Sequence, residues 1–365
     1  MKILQVINSL GHGGAETMLV DLCLRWKQAG LSPEVLALQE GGPTRQAQLR
    51  DAGVPVTVSG RSGAYSPRQV TELATTMARS RFDLVHVHLY PAQLWAAMAL
   101  RFSPGVPPAI TTEHSTWNRR RDWRWIRPLE KWMYSQFQVA VCIGLSTKDN
   151  LDAWMGATQC QTCVIANGID LQRFRPGNTP GRLPEEVNGA PTILCIGIFE
   201  GRKDHETLVR AIAEVEGVHV LLVGEGPLKR DVEQLVRTLN VTNRVHFLGI
   251  RLDIPELIAA VDLYVQSSTV DGFCIAALEA MAGGLPLIAS DIPGLGDLGR
   301  GCGLLFPPRD HHQLAACIRT LLLDPTLRNE VATRCVHRAQ QYSVDETAVQ
   351  YQRVFEAVLS KTPLQ

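Results

Sequence analysis

MKILQVINSLGHGGAETMLVDLCLRWKQAG, residues 1 to 30, is the stretch whose reading decides the fold. Ile3 to Ile7 is a short apolar run that reads as a buried strand. Ser9 to Gly14 is a glycine-rich turn, and Ala15 to Gly30 carries apolar residues at helical spacing and closes on a glycine. The same strand, loop and helix unit recurs downstream. Glu34 to Leu38, Val54 to Val58 and Leu84 to His88 read as strands, with Pro67 to Arg79 and Ala92 to Leu100 as helices. Further apolar runs at Ala109 to Thr112, Val139 to Ile143 and Cys163 to Ile165 extend the series. Such alternation predicts a parallel sheet covered by helices on both faces.

From Arg175 to Pro191 the text becomes RPGNTPGRLPEEVNGAP, which has no periodic apolar stripe and reads as a linker. A second alternating set follows. Its strands are Thr192 to Ile198, Val218 to Val223, Val245 to Leu248, Leu263 to Val265, Leu287 to Ala289 and Leu304 to Phe306. Its helices are Glu206 to Glu214, Leu228 to Leu239, Ile254 to Ala260 and Ile275 to Ala282, before three closing helices near Asp310 to Leu323, Thr326 to Gln341 and Asp345 to Leu359. The expected organisation is a first lobe over 1–176, a linker over 177–191, a second lobe over 192–342 and a terminal helix over 343–365. Two doubly wound α/β sheets place a ligand at the carboxyl ends of strands, which predicts a cleft between lobes.

At 365 residues, two lobes are also what chain length favours. Lys and Arg number 36 against 36 Asp and Glu, so no global field draws the chain to nucleic acid, and any anion site must be built locally. MKILQVINSL lacks the apolar core of a signal peptide, and no run reaches the ~20 apolar residues of a membrane span. The cytosol is the expected compartment. Most of the nine cysteines sit in apolar runs, where a reduced thiol acts as a small hydrophobe; Cys160 and Cys163 have no second pair with which to hold a metal.

Asp271 stands just before the helix that begins at Ile275, and Glu279 lies eight residues on, within it. A helix start leaves backbone donors unpaired and favours negative charge, so a diphosphate can dock there. Glu279 would then accept hydrogen bonds from sugar or ribose hydroxyls. The plainer alternative is a capping Asp and a solvated Glu on a surface helix.

The segment DGFCIAALEAMAGGLPLIASDIPG resembles the EGFGxxxLEAMAxGxPVIAxxxGG motif of the large retaining glycosyltransferase family 4, of the GT-B fold. SLGHGGAE (9–16), DLVHVHL (83–89), TTEHS (111–115), NGID, GRKDHETL (201–208), VGEGPL (223–228) and RVHFLG (244–249) match other segments of that family in order. The resemblance implies two Rossmann-like lobes facing across a cleft and a last helix crossing back to the first. It also implies an enzyme of hexosyltransferase type: the second lobe holds a nucleotide-sugar donor, expected to be a UDP-sugar, and the first a saccharide or lipid-linked saccharide acceptor. The implied reaction retains anomeric configuration and needs neither metal nor cofactor.

In that family the first carboxylate of the motif contacts donor-sugar hydroxyls and the second binds the ribose. These roles fall on Asp271 and Glu279, with the amides of Phe273 and Cys274 on the phosphates and Ile275 beside them in the donor site. Gly224 and Leu248 fall in the nucleotide-binding segments, and Gly13 and Gly14 in the first-lobe loop suited to close backbone approach. His114, in TTEHS, falls on the family's histidine near the donor sugar. Lys203 aligns with the lysine that neutralises the leaving diphosphate. Two departures stand out: Asp271 replaces Glu, and Ile198 occupies the place of an arginine, with Arg202 as its obvious substitute. They motivate a competing reading, a GT-B protein that binds a nucleotide sugar or a partner without transferring. A nucleotide-sugar epimerase is a third, disfavoured by LEAMAGG.

His86 and His88 alternate on one strand and read as satisfied core or cleft histidines. Between Trp117 and Trp132 lie four of the seven tryptophans, with Arg119, Arg120, Arg121, Arg124, Arg127 and Lys131. Trp125, Leu129, Trp132 and Met133 recur at helical spacing, so part of this stretch faces a core. Arginine with tryptophan also suits peripheral contact with the inner face of an anionic membrane; a basic acceptor groove or plain surface stays open.

Overall fold

The computed structural model describes residues 1–362 apart from 12, 60–62, 104, 117 and 188, and the backbone but not the side chain of residue 119. Its contacts divide the chain into two compact units, Met1–Gly168 with Val344–Gln365, and Ile169–Ser343.

Unit 1 runs β1 (Lys2–Ile7), α1 (Gly14–Gln28), β2 (Ser32–Ala37), α2 (Pro43–Asp51), β3 (Val56–Val58), α3 (Gln69–Arg79), β4 (Leu84–His88), α4 (Ala92–Phe102), β5 (Ala109–Glu113), α5 (Arg127–Tyr134), β6 (Val139–Cys142), α6 (Leu145–Met155) and β7 (Gln161–Val164). The strands form one parallel sheet in the order β3-β2-β1-β4-β5-β6-β7. Winding reverses between β1 and β4, so the loops leaving these strands diverge and open a crevice at their carboxyl ends. Strand β4 is buried at all five positions, histidines included, because helices cover both faces of the sheet.

Unit 2 runs β8 (Thr192–Ile196), α7 (His205–Glu214), β9 (His219–Val223), α8 (Lys229–Thr238), β10 (Val245–Gly249), α9 (Ile254–Ile258), β11 (Leu263–Gln266), α10 (Ile275–Ala282), β12 (Leu287–Ser290), α11 (Leu295–Gly299), β13 (Leu304–Phe306), α12 (His311–Leu323) and α13 (Pro325–Ala339). Its parallel sheet is ordered β10-β9-β8-β11-β12-β13, with the reversal between β8 and β11.

The last helix, α14 (Val344–Ser360), belongs to unit 1. Trp26 of α1 donates its indole N–H to the carbonyl of Ala348 at 3.1 Å, and Arg25 pairs with Asp345 at 2.7 Å. Phe355 packs edge-on against Trp26 with ring centroids 5.2 Å apart. Tyr351 and Phe355 are fully buried, and burial of such side chains stabilises by roughly 1.5–3 kcal/mol each.

Two boundaries differ from the sequence reading. The first unit ends at Gly168 and not at residue 176, and the stretch 177–191 is part of unit 2. There the Gly181 amide donates to the carbonyl of Glu256 at 2.7 Å, and Val187 is buried. Its Pro/Gly composition reflects irregular backbone laid on α9 and not a free tether. Three helices escape the periodicity reading because their apolar stripes are thin or their length is short. Helix α2 buries only Gln46 and Leu49, α6 buries Thr147, Leu151 and Met155, and α11 has five residues.

Candidate active site

In unit 2 the residues singled out from sequence sit on the loops at the carboxyl ends of β8 to β11. Lys203 leaves the β8 loop and Asp271 the β11 loop, on the two strands that flank the winding reversal. Their Nζ and Oδ2 atoms lie 2.5 Å apart, with side chains only 13% and 9% exposed. Burial pushes the Lys203 ammonium down, but the Asp271 carboxylate beside it outweighs this and holds the group above its ordinary range. The loops are stitched together independently of that pair. The Thr269 amide donates to the Arg202 carbonyl at 2.8 Å, and the Ser267 hydroxyl donates to the Asp204 carbonyl at 2.8 Å. Asp204 itself adopts a left-handed conformation, φ 48°, and caps α7 through Thr207.

Around this pair the backbone approaches closely. Gly224, φ +143°, faces the carbonyl of Gly197 so tightly that a Cβ would overlap it. Gly294, φ +85°, bridges to Asp271 and leaves its Cα against the carbonyls of Asp271 and Gly272. Leu248 is half-buried near the end of β10. Helix α10 starts at Ile275 with no side-chain hydrogen bond capping it, so its first-turn amides are available to an anion. Cys274 at the N-cap is buried, its thiol pushed up to about 12 by burial. Phe273 packs against Tyr342 with centroids 5.3 Å apart. Along α10, Ala276 and Glu279 are the partly exposed positions of an otherwise buried helix. Glu279 is half-buried, and α10 is a mostly buried helix without a side-chain cap, not the ordinary surface helix of the plainer alternative.

Ile198 and Arg202 behave differently. Ile198 is 46% exposed. Arg202 is turned onto Glu200, and both side chains are substantially exposed. In the structure as it stands Arg202 takes the part of a surface ion pair, and Lys203 alone of the two basic residues is buried against Asp271.

In unit 1, Gly13 is the N-cap and Gly14 the first residue of α1, at the end of the loop that leaves β1. Arg45 braces the loop: it donates to the carbonyls of Gly11 and Gly13 and, at 2.5 Å, to the hydroxyl of Thr17. A Cβ at Gly13 would meet the Glu16 carboxylate. His114 follows β5 and belongs to a hydrogen-bonded row. Gln5 Oε1 lies 3.0 Å from His88 Nε2, and His88 Nδ1 lies 3.0 Å from His114 Nε2. With the Gln5 carbonyl as acceptor, His88 carries its proton on Nε2 and presents a lone pair to His114 Nε2–H. The Nδ1 atom of His114 is then an acceptor, and it is buried without a partner. Burial lowers His114 to about 4, so the ring is neutral near pH 7. His86 beside it bonds Thr112 at 2.8 Å, which in turn bonds Tyr351 of α14 at 3.0 Å. Both strand histidines are thus buried, hydrogen-bonded groups. Sequence reasoning missed Gln5 and Arg45. A lone glutamine inside KILQVI was the available signal for the first; nothing in the pattern marks the second.

The basic stretch is mostly not a surface patch. Arg121 pairs with Glu113 at 3.0 Å and with Glu130 at 3.4 Å, and Arg120 pairs with Glu130 at 3.0 Å while lying over the Tyr90 ring. Trp154 donates to Glu130 at 2.7 Å, and Arg127 donates to the carbonyl of Trp154 at 2.6 Å. Trp123 and Trp125 are stacked and exposed, at 6.0 Å and 11°; Arg124 is exposed between them and Leu129 is partly so. Trp117 lies outside the described residues.

Each unit is a doubly wound parallel sheet, and unit 2 carries a buried cation–carboxylate pair at its strand ends. Residues 12–173 match the model of Glycosyltransferase Family 4, and residues 190–324 that of Glycosyl transferases group 1. The chain belongs to this family and is a glycosyltransferase of the GT-B fold. It is 26% identical to the putative glycosyltransferase EpsF of Bacillus subtilis over 80% of this chain and 79% of that one. It is 25% identical to the UDP-Gal:alpha-D-GlcNAc-diphosphoundecaprenol alpha-1,3-galactosyltransferase of Escherichia coli over 71% of each. Among solved structures, Anabaena HepE in complex with UDP and glucose superposes with a TM-score of 0.85 at 23% identity, covering 98% of this chain and all of that one. Among the described residues no helix is long and apolar enough to cross a membrane.

Proposed function

We propose that the protein transfers a hexose from a UDP-sugar to a saccharide acceptor, with retention of anomeric configuration and without a metal, in assembly of a cell-surface polysaccharide or glycolipid. The observation that carries this reading is the buried Lys203–Asp271 pair beside the start of α10. An arriving diphosphate offers Lys203 a second anion. As the ammonium turns from carboxylate to phosphate, Asp271 is released to accept hydrogen bonds from sugar hydroxyls, so donor binding and sugar positioning become one event. The α10 amides take the remaining phosphate charge and Glu279 takes the ribose. On unit 1, Nδ1 of His114 accepts from a sugar hydroxyl. When the C1–O bond to the diphosphate breaks, the acceptor oxygen bonds C1 on the same face and its proton passes to a phosphate oxygen. No protein base is then required, and electrostatic support of the leaving group supplies most of the acceleration. The lipid-diphosphate acceptor of the Escherichia coli relative, together with Trp123, Arg124 and Trp125, supports a lipid-linked acceptor met at an anionic membrane surface.

A thermal-shift series with UDP, GDP, ADP and UDP-sugars in EDTA tests the donor site, since a ligand that binds only the folded state raises Tm. NMR of the transferred sugar then reads the anomer. Inverted product, or transfer lost in EDTA and restored by Mn2+, would sink the mechanism.

Ile198 and the Arg202–Glu200 pair favour a second reading, a protein that binds a nucleotide sugar without turning it over. It is distinguished by UDP-sugar binding with no transfer or hydrolysis, and by whether Ile198→Arg creates turnover.

A further inference from the structure

Glu214 is the last residue of α7, and His311 and His312 are the first two of α12. His311 Nε2 lies 3.3 Å and His312 Nδ1 2.8 Å from the same carboxylate oxygen, and the three donor atoms all fall within 4.8 Å of one another. Among the described residues no other three His, Cys, Asp or Glu donors converge so closely. We propose that these residues form a binding site for a divalent transition metal of the zinc type, which ties the end of α7 to the start of α12. Nothing in the transfer reaction uses them.

Four observations support the site. Bonds of about 2.0–2.1 Å in a tetrahedron set ligand edges of roughly 3.3 Å, which the two histidine–carboxylate separations of 3.3 and 2.8 Å approach. Two imidazoles with one carboxylate suit Zn2+, whereas Mg2+ and Ca2+ take oxygen ligands. The carboxylate stands at the C-terminal end of α7, where the helix dipole is negative and favours a cation. Arg319 bonds the main-chain carbonyl of Glu214, at 3.0 Å, and not its carboxylate, so the oxygen shared by the histidines is not claimed by that guanidinium. Glu214 and His311 are about a third exposed and His312 mostly so, which leaves remaining coordination positions to water.

The test is calorimetric titration of Zn2+ into the full-length protein, stripped with EDTA and kept reduced, with Mg2+ as the control ion. One equivalent is expected at micromolar affinity, weakened at least about tenfold in His311→Ala, His312→Ala and Glu214→Gln, with no heat from Mg2+. His312 is the safest of the three to change, because its ring is largely solvated. Co2+ substitution adds a ligand-specific readout: nitrogen and oxygen ligands give weak visible bands without the strong near-ultraviolet thiolate charge transfer. Absence of heat at submillimolar Zn2+, undiminished affinity in the variants, or a thiolate spectrum would each overturn the proposal, the last two by placing the ion on cysteines or elsewhere.

Discussion

At the scale of the residue, Lys203 is asked to do two things: balance Asp271 in the resting protein and meet the diphosphate in the working one. Lys203→Ala should lower kcat by about 10²–10³-fold, the range found when one donor to a developing anion is removed. Glu279→Ala should abolish transfer through lost donor binding, seen as loss of the UDP-induced Tm rise. Normal turnover in both purified variants would remove these residues from the site. Asp271→Ala is a poorer probe, because a buried ammonium left without its partner costs about 3–5 kcal/mol of stability. The direction of the Gln5, His88 and His114 row is also checkable. ¹⁵N spectra of histidine-labelled ligand-free protein should show His114 as the Nε2–H tautomer; the Nδ1–H tautomer would turn the group from acceptor into donor. Of these residues, Lys203, Asp271, Glu279 and His114 were legible in the sequence because each lies in an ordered motif. Their coupling was not, since a pair separated by 68 positions is created only by the winding reversal between β8 and β11.

At the scale of the element, the loops after strands are held by backbone approach and not by apolar packing. Gly294 is the case beside the Lys203–Asp271 pair: φ +85°, with carbonyls where a Cβ would go. Gly294→Ala should cost about 1–3 kcal/mol of stability from local backbone strain. It should also weaken UDP binding, because the displaced carbonyls belong to Asp271 and Gly272. Urea unfolding and UDP titration check the two effects separately. Strands and long helices were readable from alternation and 3.6-residue spacing. Helices such as α2 were not, because a surface helix that buries two side chains leaves no stripe to read. The run from Arg119 to Lys131 misleads in another way. Sequence counts its arginines as a surface charge, whereas Glu113 and Glu130 neutralise two of them inside the unit.

At the scale of the whole molecule, unit 2 is inserted into unit 1, which is completed only by α14. A fragment of residues 169–343 should fold and keep UDP binding, whereas 1–168 without 344–362 should be unstable, since Trp26, Tyr351 and Phe355 bury one another. Co-expression of 1–168 with a 344–362 peptide, read by circular dichroism, checks the second half. Acid sensitivity follows from the buried histidines. His114 and His205 are held near 4 by burial, against an ordinary value of 6.5. Below 6.5 the unfolded chain takes up protons that the folded chain refuses, so stability falls as pH drops from about 6.5 towards 4, and His86 and His88, held well below their ordinary range by burial, add to the loss. Tm measured from pH 7.5 to 4.5 should stay nearly level down to about 6.5 and fall below it, and less so in His205→Phe, which keeps the stack on Phe199. An identical decline in that variant would exclude His205 from the effect.

The stacked pair of Trp123 and Trp125 also makes the protein its own optical reporter. Both indoles stand in solvent while Trp26 is sealed under α14, so emission from the pair should be red-shifted and open to iodide quenching when that of Trp26 is not. Vesicles or acceptors that cover the pair would then announce themselves as a blue shift with loss of quenching, with no dye attached and no residue replaced.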